Sequence, residues 1–476
     1  MPRLSVWPDG IMKILLIIPP FKEIIYAGSI VRSSVPGAPL LGVSVLAGAL
    51  LRERHSVRIL DLNLCGDYST RLSQELSAYE PDYAGITFVT PLFGIMSSVT
   101  DLVKRQRPGT IVIGGGPHAT ALPEDTLKSS RLDMVVIGEG DHVLPEIVSG
   151  KPLAQIQGIA YRKNGAITVN PPSAHIQDLD ALAMPAWQLY EVSRYRSPGL
   201  MARRNPAGWI ETSRGCPFNC CFCSKSVFGH VFRAKSLGRV IQEIRHTLGA
   251  GFKEIHIADD MFTTDISRVK NICREILNQR LDFPWATVTG IRVDRGDREM
   301  FDLMARAGCY RVSFGIESGN QSLLDAIGKG IRLEQVESSV AMAKQAGLET
   351  CGFFMLALPG ETVATMRETL EFACKLDLDW AKACIMTPLP GTRIYEELKT
   401  AGRLRIKDWS QYNLYKPTNE IFDHPELDWP TVDRHFRAFY RGFYFRPRLI
   451  ARKILKGIKH GTMLSDILQF SRTDWC

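Results

Sequence analysis

The chain has 476 residues, 45% hydrophobic and 23% charged, with a formal net charge of +8, the balance of a soluble globular protein of roughly two to four domains. A chain this long buries a large core without staples, and eleven unevenly placed cysteines argue against a secreted disulfide framework. The expected compartment is reducing, the cytoplasm.

The opening MPRLSVWPDGIMKILLIIPPF has an apolar run broken by Pro19 and Pro20 and no small-residue cleavage site, so no signal peptide is expected, and Met12 is a candidate start. Residues 1–150 form the first predicted domain. KILLII, VRILDL, YAGITFV, TIVIGGG and DMVVIGEG alternate with helix-length segments, which predicts a doubly wound, Rossmann-like parallel sheet. APLLGVSVLAGALL at 38–51 is too short for a membrane span and reads as a buried helix of this layer. A ligand should lie at the carboxyl ends of the strands. The loops there, PPFKE, TPLFG, GGGPHAT and GEGDH, are rich in residues that let backbone approach a ligand closely, but no G-x-G-x-x-G claims a dinucleotide.

Residues 151–205 carry NPPS and MPAW and show weak periodicity, predicting a linker with a small hairpin. Over 206–400 a second series follows: WIETS, EIHIADD, WATVTGIRVD, RVSFGIES, ETCGFFMLALPG and AKACIMTPLPG. Six such units predict a partial (β/α)6 barrel of TIM type, shorter than the roughly 250 residues of a closed one. Asp259, Asp260, Arg292, Glu317 and Ser318 fall at strand ends, the active face of a barrel. Arg292 suits a carboxylate or phosphate, or a salt bridge to Asp294.

Residues 401–476 predict a helical C-terminal tail. Nine Lys or Arg and no acid lie between Arg434 and Lys459, interleaved with Phe436, Phe439, Tyr440, Phe443, Tyr444 and Phe445. Either this is a solvated face packed on the domain, or it is drawn to an anionic membrane or to a charged or lipid-like substrate. No motif accompanies the charge to suggest nucleic acid.

GCPFNCCFCS at 215–224 carries the chemistry. Cys216, Cys220 and Cys223 form C-x-x-x-C-x-x-C directly after the first strand of the second series, and Pro217 disfavours strand pairing there. Thiols this close are typical of metal ligation. Three thiolates on a four-iron cluster would leave one iron open. Cys221 is a fourth candidate by count, but beside Cys220 its side chain points elsewhere in an extended segment and reads as packing. The rival is structural zinc held by the three cysteines and His230. Cys273, Cys309, Cys351, Cys374 and Cys384 read as small packing residues, and His55, His246 and His256 as surface or satisfied positions.

With Phe222 before the last cysteine, the loop resembles the C-x-x-x-C-x-Φ-C signature of radical S-adenosylmethionine enzymes. The resemblance implies a 4Fe-4S cluster on the three cysteines, S-adenosylmethionine on the open iron, and an external one-electron donor such as flavodoxin or ferredoxin. It makes Phe222 an adenine neighbour and ADDMF, with Asp259 and Asp260, the segment receiving the amino group in place of the family's G-G-E. Glu317 and Ser318 correspond to its ribose contacts, and MTPLPGT at 386–392 to its sixth-strand adenine segment.

The domain ahead of such a barrel resembles the cobalamin-dependent group of the family, the class B methylases. Gly115, Gly116, His118 and Glu139 then become cofactor-binding candidates. D-x-H-x-x-G is absent and His118 lies in a loop assigned to the nucleotide tail, so base-off cobalamin without a protein histidine is expected. The implied reaction is radical methylation of an unactivated carbon or phosphorus centre. Cobalamin-assisted oxidative cyclisation or rearrangement is the alternative, and a non-catalytic sensor or carrier a further one. A methylthiotransferase is disfavoured because residues 1–215 offer only Cys65 for a second cluster.

Overall fold

The computed structural model describes residues 10–26, 35, 37–199, 201–415 and 421–460. Its first sheet contains β1 (Lys13–Ile18), β2 (Ser56–Asp61), β3 (Tyr83–Thr87), β4 (Ile111–Gly115), β5 (Met134–Val136), β6 (Ile159–Lys163) and β7 (Ala166–Val169), in the order β2-β1-β3-β4-β5-β6-β7. The first five strands are parallel. Strand β1 shows why the run KILLII is apolar throughout: Leu15 and Ile17 enter one core while Ile14, Leu16 and Ile18 enter another. A strand covered on both faces has no polar side. The helix Leu41–Arg52 covers one of those faces with Val43, Ala47 and Leu50, as the sequence predicts.

The expected linker is divided in two. Its hairpin, β6 and β7, adds two antiparallel strands to the first sheet, so that layer continues past residue 150. The rest is a strap: Ala186 donates its N–H to Ser44 in the first domain, and Trp187 donates Nε1–H to Thr247 in the second.

The second sheet holds β8 (Ala207–Ile210), β11 (Glu254–Ile257), β12 (Trp285–Thr287), β13 (Cys309–Glu317), β14 (Glu349–Leu356) and β15 (Trp380–Ile385), all parallel and in sequential order. Between β8 and β11 lies a short antiparallel ladder of β9 (Ser213–Arg214) and β10 (Arg233–Ala234). Side chains of Ser236, Asp265, Asp297, Thr362 and Thr392 cap the helices that follow, each accepting an otherwise unpaired N–H.

An unclosed barrel leaves strand edges with unpaired backbone groups. At β15 the tail pairs them. Tyr440 Oη receives the N–H of Ala383 and donates to its carbonyl, at 3.1 and 2.8 Å, and Tyr444 Oη does the same with Ala381 at 3.2 and 2.8 Å. Ile385 donates to Leu414. Phe436, Phe439, Tyr440 and Phe443, on the helix Trp429–Tyr444, are buried. These four tail aromatics are core residues, whereas Phe445 is 49% exposed. Among the described residues no helix is long and apolar enough to cross a membrane.

Tyr440→Phe deprives two buried backbone groups of their partner and is expected to cost about 1–3 kcal/mol. Denaturant unfolding of the variant checks this.

Candidate active site

The cysteine loop leaves the barrel through β9 and returns through β10, and neighbouring elements hold it along its length. At its entry Gly215 has φ +81°, and a Cβ there would stand 2.2 Å from the Val231 carbonyl oxygen, so only glycine fits. Its N–H donates to Asp260 Oδ2 at 3.1 Å. Phe218 lies under the Arg292 guanidinium, 3.7 Å from ring centroid to Cζ, a cation–π contact. Cys221 donates its N–H to Ile327 and accepts from Ile394.

That anchoring separates the four thiols. Cys221 is 4% exposed and belongs to the barrel core. Cys216 and Cys220 are half-buried and Cys223 is exposed. Among the described residues no three His, Cys, Asp or Glu side chains converge as they would on a single ion, neither the three cysteines alone nor the set with His230. Three thiols offered outward and a fourth turned inward fit a cluster that takes one thiolate per iron and leaves one iron free.

The strand-end residues divide into ligand-facing and loop-supporting sets. Asp259 is 0% exposed, and its oxygens accept from Thr212 N–H, Thr212 Oγ1 and Ser213 Oγ at 2.5, 2.5 and 2.6 Å. This carboxylate is saturated by the end of β8 and β9, a correction to its expected contact with an amino group. Asp260 next to it is exposed and accepts only the Gly215 N–H among the hydrogen bonds given for it. Of the two roles expected for Arg292, the structure shows the salt bridge to Asp294. Arg292 pairs with Asp294 at 2.9 Å and donates to the carbonyls of Lys329 and Gly330, so it props the cysteine loop rather than awaiting an anion. Ser318 is buried against Thr369 and accepts from Asn320 N–H, which makes it a turn residue.

Glu317 adopts φ +71°, where the register of β13 against β14 shifts. Strain of this kind in a non-glycine residue persists where surroundings enforce it. Here Lys329 does so, with Nζ 2.7 Å from Oε1. Phe222 is half-buried against the barrel core. In the sixth-strand segment Met386 and Thr392 are buried. A Cβ on Gly391 in the same segment would meet Ala121 of the first domain at 3.1 Å and Ser224 of the cysteine loop at 3.4 Å.

In the first domain Gly116 has φ +105°, and a Cβ there would stand 2.7 Å from the Phe88 carbonyl oxygen, whereas a Cβ on Gly115 would meet only open space. That open side lies at the carboxyl end of β4, where ligands of doubly wound sheets bind. His118 is buried with Nδ1 3.2 Å from Thr90 Oγ1, beside Phe88, Phe93 and Trp409, and its Nε2 lacks a partner.

Glu139 is not free for a cofactor either. It accepts from the buried Arg233 at 2.9 Å, from the buried Arg214 at 3.2 Å and from Ile176 N–H at 2.7 Å. Arg214 also reaches Asp141 at 2.8 Å and Glu211 at 2.7 Å. These arginines are the stem of the cysteine loop, so the first domain's β5 end grips the cluster loop directly. Sequence reasoning passed over Arg214, Arg233, Asp141, Lys329 and Trp409. The one available signal was an arginine immediately before Gly-Cys.

Comparison with known proteins agrees with this construction. Residues 29–148 match the B12 binding domain model and residues 210–373 the radical SAM superfamily model. An uncharacterised methyltransferase of Pyrococcus horikoshii is 34% identical over 96% of this chain and 98% of its own length. Cytidylyl-2-hydroxyethylphosphonate methyltransferase of Streptomyces wedmorensis is 28% identical, covering 76% of this chain and 78% of its own. Anaerobic magnesium-protoporphyrin IX monomethyl ester cyclase of Rubrivivax gelatinosus is 27% identical over 91% and 77%. The fold is shared with the radical S-adenosylmethionine methyltransferase TsrM of Kitasatospora setae, solved with cobalamin and a [4Fe-4S] cluster (TM-score 0.70, 21% identity, 90% of this chain and 91% of that one).

The chain is thus an α/β enzyme with a cobalamin domain ahead of a radical barrel, and it belongs to the cobalamin-dependent radical S-adenosylmethionine family. Its cofactors are a 4Fe-4S cluster, S-adenosylmethionine and cobalamin.

Removing one partner of a buried ion pair strands the other, at a cost of roughly 3–5 kcal/mol. Glu139→Gln is expected to lose that much in denaturant unfolding, whereas Glu124→Gln, in the exposed pair with Lys128, should lose under about 1 kcal/mol. Burial pushes His118 down to about 4, against ~6.5 in an unfolded chain. Unfolding therefore takes up a proton between those values, so His118 costs nothing above about pH 6.5 and progressively more stability as pH falls toward 4. His118→Phe should flatten the fall in Tm over that range, as thermal melts would read.

Proposed function

We propose that the protein transfers a methyl group to an unactivated carbon or phosphorus centre of a small molecule held between the two strand-end faces. The observation carrying this reading is the junction of those faces. The β5 end of the first domain holds the stem of the cysteine loop through Glu139, and the sixth-strand loop touches both the first domain and the cysteine loop at Gly391. When bound, the cluster with S-adenosylmethionine supplies radical chemistry and cobalamin supplies a methyl carrier, the steps that side chains lack.

The chain's own part is to bind and orient. Cys216, Cys220 and Cys223 would hold the cluster, with Asp260 exposed beside them as the carboxylate for a ligand ammonium. Phe222 offers a half-buried ring for stacking, Glu317 a carboxylate oriented by Lys329, and Gly115 the open cradle for the corrinoid. Asp259, Arg292, Ser318 and Glu139 position these groups without touching ligands. The electron comes from an external flavodoxin or ferredoxin. The enzyme works in the cytoplasm, in keeping with ten described cysteines that are all free.

Anaerobic reconstitution with iron, sulfide and hydroxocobalamin, followed by desalting and absorption spectroscopy, tests the cofactor set. Cys216→Ala, Cys220→Ala and Cys223→Ala should each lose cluster absorption and 5'-deoxyadenosine formation, while Cys221→Ala keeps both. Equal loss in Cys221→Ala would defeat the three-ligand reading. Methylation forms S-adenosylhomocysteine during turnover. Its absence beside 5'-deoxyadenosine would favour cyclisation, the reaction named for the Rubrivivax relative.

A further inference from the structure

The last strands of the barrel alternate in exposure. Ala381, Ala383 and Ile385 of β15 are buried, whereas Trp380, Lys382 and Cys384 between them are half-buried, and Cys351 and Phe353 repeat the half-buried positions on β14. Alternate residues of a strand face opposite sides of the sheet. The buried set lies under the helices, where Phe354 of β14 meets Phe439 of the helix Trp429–Tyr444. The half-buried set therefore faces the inside of the barrel. A closed barrel fills that space with side chains, but here the inner wall keeps accessible surface.

On this wall Lys382 is a cation without a counter-charge. Its Nζ lies 4.9 Å from the centroid of the Tyr415 ring, and among the described residues it has no hydrogen bond and no ion pair. Arg311 and Lys329, also on the inner side, are engaged, with Glu349 at 2.9 Å and with Glu317 at 2.7 Å. The groups around Lys382 supply no anion. Burial pushes the thiols of Cys351 and Cys384 up, the latter to about 12, and raises Tyr26 and Tyr415 likewise. A charge withdrawn from water without a partner costs free energy. One that faces accessible space is half of an ion pair whose other half comes from outside the chain.

Tyr415 in turn stacks on Tyr26 of the first domain, with ring centroids 5.5 Å apart. Lys382 therefore stands where the inner wall of the barrel meets the cobalamin domain. We propose that Lys382 is the receptor for an anionic group of the substrate, a carboxylate or a phosphate on an aromatic or apolar body, a substrate class that rests on this junction being the site of methyl transfer. An ammonium donates charge-assisted hydrogen bonds to either oxyanion, and as a compact point charge it imposes no planar geometry on its partner. Phe353, in register with Lys382, and Tyr415 offer aromatic surface beside it.

The test titrates the full chain, with cluster, cobalamin and S-adenosylmethionine in place, in a calorimeter with phenyl phosphate, benzoate and benzyl alcohol. Binding is read without turnover, so this result and the methyl-transfer assay can fail separately. At least one of the two anions is expected to bind more tightly than benzyl alcohol, and the tighter anion identifies the group as phosphate or carboxylate. Lys382→Met should weaken that anion about tenfold or more and leave benzyl alcohol binding, cofactor absorption and Tm unchanged, while Lys382→Arg recovers part of the anion affinity. Neither anion exceeding benzyl alcohol, an equal loss for all three probes, or undiminished anion binding by Lys382→Met would overturn the proposal. So would a lowered Tm of Lys382→Met, which would show that the ammonium serves to hold Tyr415 in place.

Discussion

The arrangement of the molecule depends on one buried cluster of charge, in which Glu139 and Asp141 of the first domain meet Arg214 and Arg233 of the second. Removing such ions from water costs several kcal/mol each, and their mutual attraction offsets this only when geometry and further hydrogen bonds are good. Here they are: Glu139 takes donors from both arginines and from Ile176, while Arg214 spans three carboxylates. The net stabilisation of such a cluster is small, but any other docking of the domains would leave its members unpaired. Its contribution is therefore a fixed orientation. Because Arg214 directly precedes Gly215 and Cys216, that orientation extends to the cysteine loop, and the loop's position follows from the first domain as much as from the barrel.

The same economy governs the barrel mouth. Polar residues at strand ends are usually read as ligand contacts, yet three of the five here hold the cysteine loop or its approach. Asp259 fixes Thr212 and Ser213, Asp260 fixes Gly215, and Arg292 supports Phe218. A loop this rich in thiols and lacking regular structure would otherwise sample many conformations, at a backbone cost of about 1–2 kcal/mol per residue ordered. Fixing it before any cofactor arrives removes that cost from cofactor binding.

What the sequence made legible was local. Eleven strand runs were visible because buried parallel strands are apolar on both faces, as β1 shows by feeding two cores from alternate residues. The three-cysteine motif was visible because spacing alone carries it. Partnerships were not. Glu139 meets Arg233 across 94 residues, Ser318 meets Thr369 across 51, and Tyr440 meets Ala383 across 57. Residue type could say that Asp259 is a carboxylate at a strand end, but only the fold says that Thr212 and Ser213 have already claimed its oxygens. The ladder of β9 and β10, two residues each, is too short to leave any periodic trace.

Cys221 shows how these levels combine. Its thiol is chemically equal to its neighbour's, and count alone would admit it to a four-thiolate cluster. Its backbone, however, is tied on both sides, N–H to Ile327 and carbonyl to Ile394. The segment is not the extended one that the sequence suggests: Cys223 donates its N–H to the Cys220 carbonyl at 3.2 Å, closing a turn over Cys221 and Phe222, and within that turn Cys221 is buried while Cys220 stays half-buried and Cys223 exposed. The residue that fills the core is thus withdrawn from the set by its backbone anchors, and a loop offering three thiols rather than four is what would leave one iron free for a substrate.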